Sequence, residues 1–215
     1  MPIDIDLAKN FSEYMKRYPE LYINLARIVK NNITKSSPVI VDLGSGPGLL
    51  SLEIFKLIQK STIIGIDPSI EMLNIAKENT LKKEFKSYKI LQAKSENIPL
   101  KDSIADVIIS RFSLTYWKEP DISFNEINRV LKPKGKLILE ALNKDYPKGK
   151  LLLIKLQMIL KSAPKETIKY HIDAYDQAYS IDEVQKLLEN TNFKILDMKG
   201  NIKSWKFIII AEKIN

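Results

Sequence analysis

Short, nearly continuous apolar runs alternate along this chain with longer stretches in which apolar residues recur every three or four positions. Val39-Ile40-Val41-Asp42-Leu43 is such a run; it ends in a glycine-rich turn and leads into helical spacing over residues 49–60, which predicts strand, turn and helix. The unit recurs. Residues 62–66 form a second strand ending at Asp67-Pro68, after which Ser69 caps a helix to about residue 83. Residues 88–93, 104–110 and 137–142 read as strands three to five, with a helix over about 120–131 between the last two. Two helices, 7–17 and 20–30, precede the first strand; the second opens at Pro19-Glu20 and closes at Asn31-Asn32, where a left-handed cap is tolerated.

Strands alternating with helices at this spacing predict a doubly wound α/β domain, with a parallel sheet covered on both faces. The end of the chain differs. Ser180-Ile181-Asp182-Glu183 is a capping box for a helix to about residue 189, and two strands follow, 193–198 and 205–211. A connection as short as the one around Gly200 makes that last pair antiparallel. Between strand five and the capping box lie about forty residues that the sheet does not need, read as an inserted lid. The expected organisation is one domain over 1–215: helices over 1–36, a ligand-binding core over 37–142, the lid over 143–179, and a terminal helix and β-hairpin over 180–215.

Composition narrows the chemistry. The 215 residues contain no cysteine and one histidine, His171, which excludes a disulfide framework, a thiolate nucleophile and a cysteine- or multi-histidine metal site. No apolar run approaches the roughly 18 residues of a membrane span, and the start of the chain lacks the basic flank and apolar core of a signal peptide. The expectation is a cytoplasmic protein. Lys and Arg outnumber Asp and Glu by 34 to 26, a net charge of +8. Charge alone does not identify a nucleic-acid partner.

The glycine turn Asp42-Leu43-Gly44-Ser45-Gly46-Pro47-Gly48 lies where a strand ends and a helix begins, the context in which such a turn holds a ligand. Gly44 permits the tight turn and Gly46 leaves bare backbone for a ligand to approach. Asp67, at the end of the second strand, is placed to accept both hydroxyls of a ribose. A nucleoside-containing ligand follows. Dinucleotide enzymes space their glycines G-x-G-x-x-G, whereas the spacing here is G-x-G-x-G. Asp42 also sets negative charge where a pyrophosphate would lie, which favours a cationic, ammonium-bearing cofactor.

With these residues the chain resembles the class I S-adenosylmethionine-dependent methyltransferases, particularly the group similar to ubiquinone and menaquinone biosynthesis methyltransferases. Residues 41–48 are similar to that family's first motif and 65–73 to its second. Residues 94–100 resemble its adenine-edge loop, 105–111 its fourth strand, and 129–137 its turn into strand five. The resemblance implies a Rossmann-like sheet in the order 3-2-1-4-5-7-6 with strand 7 antiparallel, and S-adenosylmethionine as cofactor. It places Asp42, Gly44, Ser45 and Gly46 at the methionyl and ribose portions, Asp67 on the ribose, Pro68 and Met72 beside the adenine, Lys94 and Ser95 at the adenine edge, and Ser110 and Arg111 at the end of strand four. Lys94 stands where the family usually has an acid to accept from the exocyclic amine, so that contact is expected from the backbone around Ser95 or from elsewhere. Lys134 and Asn192 replace usual glycines before strands five and six.

On the acceptor side, Phe112, Tyr116 and Trp117 follow strand four, where the family builds the wall between cofactor and substrate, and Tyr14, Arg17 and Tyr18 on the first helix face the methionyl end. His171 is the only imidazole available as a general base; Asp173 and Tyr175, in the same segment, are expected to reach a bound substrate, with Tyr175 among the substrate-binding residues. The lid carries seven lysines against two acids between residues 144 and 169, five of the chain's eight net charges. Leu151 to Leu160 is apolar nearly all round, so a helix there is expected to be buried on more than one side. Simple packing, the roof of an apolar substrate pocket, a homodimer seam and a membrane-surface contact are all compatible with that pattern.

The function expected is methyl transfer to a small-molecule acceptor, hydrophobic or anionic, mainly by proximity and alignment. The alternatives are an RNA methyltransferase and a non-catalytic S-adenosylmethionine-binding protein. Ser110-Arg111-Phe112-Ser113 lacks the Asx-Pro-Pro-aromatic motif of amino-methylating nucleic-acid enzymes, which weighs against RNA.

Overall fold

The computed structural model describes residues 4–81, 85 and 87–214. Seven strands, β1 (Val39–Leu43), β2 (Thr62–Asp67), β3 (Tyr88–Gln92), β4 (Ala105–Arg111), β5 (Leu131–Leu142), β6 (Phe193–Lys199) and β7 (Lys206–Lys213), form one sheet in the order β3-β2-β1-β4-β5-β7-β6. β1 through β5 pair in parallel, while β7 runs antiparallel to both β5 and β6.

Near-continuous apolar strands mark a sheet buried on both faces, and alternate residues divide accordingly. Val41, Leu43, Ile108, Leu137 and Leu139 pack with Phe124 and Ile127 of α5 (Pro120–Val130) and with Val184 and Leu188 of α8 (Ile181–Asn190). Ile40, Ile63, Ile109 and Ile138 pack on the other face with Leu25 of α2 (Glu20–Asn31) and Ile54 of α3 (Leu49–Leu57). α8 starts on the expected capping box: the Glu183 amide donates to Ser180 Oγ at 3.1 Å and the Ser180 amide to Glu183 Oε2 at 2.7 Å. α4 (Ile70–Leu81) likewise starts with the Met72 amide donating to Ser69 Oγ at 3.1 Å.

Several boundaries differ from the sequence expectation. α3 ends at Leu57 rather than residue 60, and the expected end of α4 near residue 83 lies outside the described residues. Asn32 closes α2 at φ −99°, not in the left-handed region; its side-chain amide donates to the Ile28 carbonyl at 3.0 Å and caps the helix that way. β5 begins at Leu131, paired to Ala105, and regains register at Lys136 beside Val107. Lys132-Pro133-Lys134-Gly135, which reads as a turn, is therefore an irregularity within a strand, with Lys134 at φ +60°. Asn192 takes φ +61° in place of a glycine.

Residues 143–179 leave the sheet and return to it at one point: Asn143 and Tyr179 form a β-bridge, and the Lys144 amide donates to the Tyr179 carbonyl at 3.1 Å. The excursion holds α6 (Lys148–Leu160) and α7 (Lys165–Asp176), and α7 also meets α1 (Ile5–Met15). The expectation that α6 is buried on more than one side is wrong. None of its residues is fully buried, because only Leu151 and Ile154 join a cluster, with Leu142, Ala174 and Tyr175. Among the described residues no helix is long and apolar enough to cross a membrane.

Candidate active site

β1 pairs with β2 on one side and β4 on the other, so the connections leaving their carboxyl ends diverge to opposite faces and open a crevice above the sheet. The turn after β1 is anchored to β2, with the amides of Gly44 and Ser45 donating to the Ile66 carbonyl at 2.8 and 3.0 Å. Gly44 has φ +74°, and a Cβ there would meet Ser113 Cβ at 2.3 Å. Gly46 differs in kind. At φ +51° it has no atom within 4 Å of a Cβ position, and it lines a cavity of about 1150 Å³.

Asp67 completes the turn, its two carboxylate oxygens accepting the amides of Gly46 and Ser69, each at 2.9 Å. Burial pushes its pKa up and these two bonds pull it down. Asp42 is 1% exposed and accepts from Ser51 Oγ at 2.6 Å. Burial raises its pKa to about 6 against the Ser51 bond, and the Asp67 charge adds to the rise. A buried carboxyl held so high gains from a cationic ligand, which would favour its charged form. The cavity thus offers bare backbone at Gly46, a carboxylate with remaining lone pairs at Asp67, and a desolvated acid at Asp42. These features fit a nucleoside cofactor with positive charge, and the two acids beside the turn disfavour a pyrophosphate there.

The cavity also reaches Ser45, Pro68, Met72, Lys94, Ser95, Arg111, Phe112, Tyr116, Trp117 and His171. Two expected site residues stand behind the wall instead. Ser110 is fully buried, with its hydroxyl 2.6 Å from that of Ser113, because β4 points it between β1 and the following turn. Tyr175 packs against Leu142 and Ala174, its hydroxyl directed at the Trp205 carbonyl at 3.5 Å, because α7 turns it away from the cavity. Trp117 contributes little more than an edge: it is 8% exposed, sits edge-on to Phe124 and donates Nε1–H to Ser113 Oγ at 3.1 Å. The Ser95 hydroxyl accepts from Ser123 Oγ at 2.9 Å, which ties the loop to α5.

The far end of the cavity is built by α7 and by Trp205, just before β7. Tyr170 stacks on Tyr116 at 5.2 Å with an interplanar angle of 11°, and burial raises the pKa of both phenols. His171 lies edge-on to Tyr175 and Trp205. Burial lowers its pKa to about 4, helped by the Arg111 charge, so the imidazole is neutral at pH 7. Phe112 takes φ +55°, costly for an aromatic residue. Its ring is held between the Arg111 guanidinium, 4.3 Å from the centroid, and Trp205 at 5.5 Å.

Sequence reasoning missed this supporting structure. Arg111 Nε lies 2.8 Å from Glu140 Oε2, Lys206 binds the other oxygen of Glu140, and Arg111 also covers the Tyr22 ring at 4.6 Å. The signal was present, since a lone glutamate within Leu137-Ile138-Leu139-Glu140-Ala141-Leu142 requires a buried cation. Glu96, missed beside Lys94, lines the cavity and is fixed by the Lys118 amide at 2.7 Å. Tyr14 and Tyr18 line the cavity from the first helix and its end; Arg17 instead covers the Tyr14 ring at 5.8 Å.

This sheet order and glycine-turn cavity define the class I S-adenosylmethionine-dependent methyltransferases. Residues 34–192 match a family model described as a methyltransferase domain, and the chain belongs to that family. It is 29% identical to the ubiquinone/menaquinone biosynthesis C-methyltransferase of Wigglesworthia glossinidia brevipalpis, over 82% of this chain and 78% of that protein. It is 34% identical to the chloroplastic 2-methyl-6-phytyl-1,4-hydroquinone methyltransferase of Arabidopsis thaliana, over 46% of this chain but only 29% of that protein. A solved structure from Methanococcus maripaludis, assigned to the S-adenosylmethionine-dependent methyltransferases, superposes with a TM-score of 0.77 and 27% identity, covering 100% of this chain and 95% of that one.

Proposed function

We propose that this protein transfers the methyl group of S-adenosylmethionine to a small-molecule acceptor, and that it does so mainly by aligning the two. The observation that carries this reading is a continuous cavity of about 1150 Å³, which runs from Gly46 and Asp67 to His171 and Trp205. Single-ligand pockets span roughly 300–1000 Å³, so this one has room for a cofactor and an acceptor together.

When bound, the cofactor supplies a methyl group already activated by its sulfonium. The chain's part is binding and positioning, which in well-oriented systems lowers the barrier by roughly 7–11 kcal/mol. Asp67 accepts the ribose hydroxyls, Asp42 faces the cationic end, and Pro68 and Met72 flank the adenine. Phe112, Tyr116 and Tyr170 present aromatic faces to the acceptor, and residues 143–179 act as the lid that closes over it. His171 is neutral at pH 7, and because burial makes it a weak base it takes a proton only from acidic acceptors.

The test supplies methyl-labelled cofactor to the protein with a cell extract and then separates precipitated RNA and protein from small molecules. Label in the organic-soluble or aqueous small-molecule fraction is expected. Nuclease-sensitive label in the precipitate would make this an RNA methyltransferase, and cofactor binding with no transfer to any fraction would make it a non-catalytic binding protein.

A further inference from the structure

The outer face of α6 has no partner among the described residues. Leu152, Leu153, Leu156, Ile159 and Leu160 are 60%, 57%, 46%, 52% and 84% exposed, although the helix turns Leu151 and Ile154 inward. At helical spacing the five form one arc about 120° wide. Lysines border it on both sides: Lys148 and Lys155 on one flank, Lys150 and Lys161 on the other. No Asp or Glu occurs between residues 148 and 161. Lys148, Lys150 and Lys155 pair with no acid among the described residues, and Lys161 lies over the Tyr18 ring at 4.8 Å.

We propose that α6 docks this protein onto an anionic lipid surface, with the leucine and isoleucine arc immersed and the flanking lysines at the headgroups. A helix lying in a bilayer interface needs this order of parts: an apolar arc that enters the acyl boundary, and long cationic side chains on both borders that reach outward to phosphates. A second copy of the chain is a poorer occupant, because a twofold contact through the arc would bring the lysine flanks of both copies together. Nucleic acid would leave the centre of the surface, five large aliphatic side chains, without a suitable partner. The same helix walls the cavity through Ile154, Gln157 and Met158, and Leu153 and Lys161, at the edge of the arc, line it too, so docking would set one wall of the cavity at the membrane. Docking through α6 is independent of which acceptor is methylated.

The experiment sediments the full chain with vesicles of phosphatidylglycerol and phosphatidylcholine, and with vesicles of phosphatidylcholine alone. Binding to the first, its release by salt, and much weaker binding to the second are expected. Leu152→Glu with Ile159→Glu changes two exposed residues outside the cavity and should lower vesicle binding about tenfold or more. Its thermal unfolding and cofactor titration should match the wild type, which separates docking from the fate of the methyltransferase reading. Lys148→Glu with Lys155→Glu should weaken binding to the anionic vesicles specifically. Failure of the wild type to sediment with phosphatidylglycerol vesicles, or undiminished binding by Leu152→Glu/Ile159→Glu, would overturn the proposal. So would a lipid-free dimer that this double variant dissociates, since a second copy would then cover the arc.

Discussion

The Asp67 carboxylate accepts the Gly46 amide at 2.9 Å, so the acid that ends β2 holds the glycine turn that ends β1. Its other oxygen fixes the start of α4 through the Ser69 amide. One side chain thereby joins two strand ends and one helix start at the mouth of the cavity. Asp67→Ala should weaken S-adenosylmethionine binding at least tenfold and lower stability by about 1 kcal/mol, since two half-buried amides lose their acceptor. Calorimetric titration and chemical denaturation measure the two effects; an affinity unchanged from wild type would remove Asp67 from the site.

Gly44 and Gly46 should respond differently to alanine. Gly44→Ala drives a methyl into Ser113 at a positive φ and should cost about 3 kcal/mol or more of stability. Gly46→Ala meets no protein atom, so its cost is limited to the roughly 1–2 kcal/mol of a left-handed alanine. Its methyl enters the cavity, however, and cofactor affinity should fall tenfold or more. Equal affinity in Gly46→Ala and wild type would mean that no ligand approaches this backbone.

Asp42 ties stability to pH. Its pKa rises from 3.8 in the unfolded chain to about 6 in the folded one, so ionisation favours unfolding. The stability it contributes is fully present below pH 3.8 and is lost as pH rises through 6. Asp42→Asn should therefore raise stability at pH 7 by on the order of 3 kcal/mol. The gain should vanish below pH 4, and cofactor affinity should fall. Thermal melts across pH 4–8 test the sign; a variant less stable than wild type at pH 7 would contradict it.

Most of the framework was legible because its signals are local. The glycine turn, Asp67 and the Ser180 capping box each depend on neighbours within a few residues, and the repeated strand-to-helix spacing allows little beyond the observed sheet. What escaped depends on distant contacts. Arg111 reads as the end of a strand until β5 brings Glu140 within 2.8 Å of it, and Tyr170 is an ordinary helical residue until it stacks on Tyr116. Tyr175 and His171 are four residues apart on one helix, yet only the imidazole reaches the cavity; helical phase is not legible without knowing which face the helix buries.

The buried Arg111–Glu140 pair should be more important for holding Phe112 than for contacting a ligand. Glu140→Ala leaves Arg111 and Lys206 without their shared carboxylate and should destabilise the fold by about 3 kcal/mol. Denaturation at neutral pH measures this, and a loss below about 1 kcal/mol would show that solvent already screens the pair.

His171→Gln should leave cofactor affinity unchanged and lower turnover about a hundredfold with an acceptor that must lose a proton. Because the folded imidazole titrates near 4, the wild-type turnover profile should show no His171 inflection at its ordinary value of 6.5. Unchanged turnover in the variant would leave His171 as a wall residue.

The most direct test of the central claim is a calorimetric titration of S-adenosylmethionine into the unmodified protein, with NAD as competitor, repeated at pH 6 in buffers of different ionisation enthalpy. One saturable site, no displacement by NAD and release of a proton on binding are predicted, the proton coming from Asp42 as a cation settles beside it. Tighter binding of NAD than of S-adenosylmethionine, or proton uptake in place of release, would contradict the account.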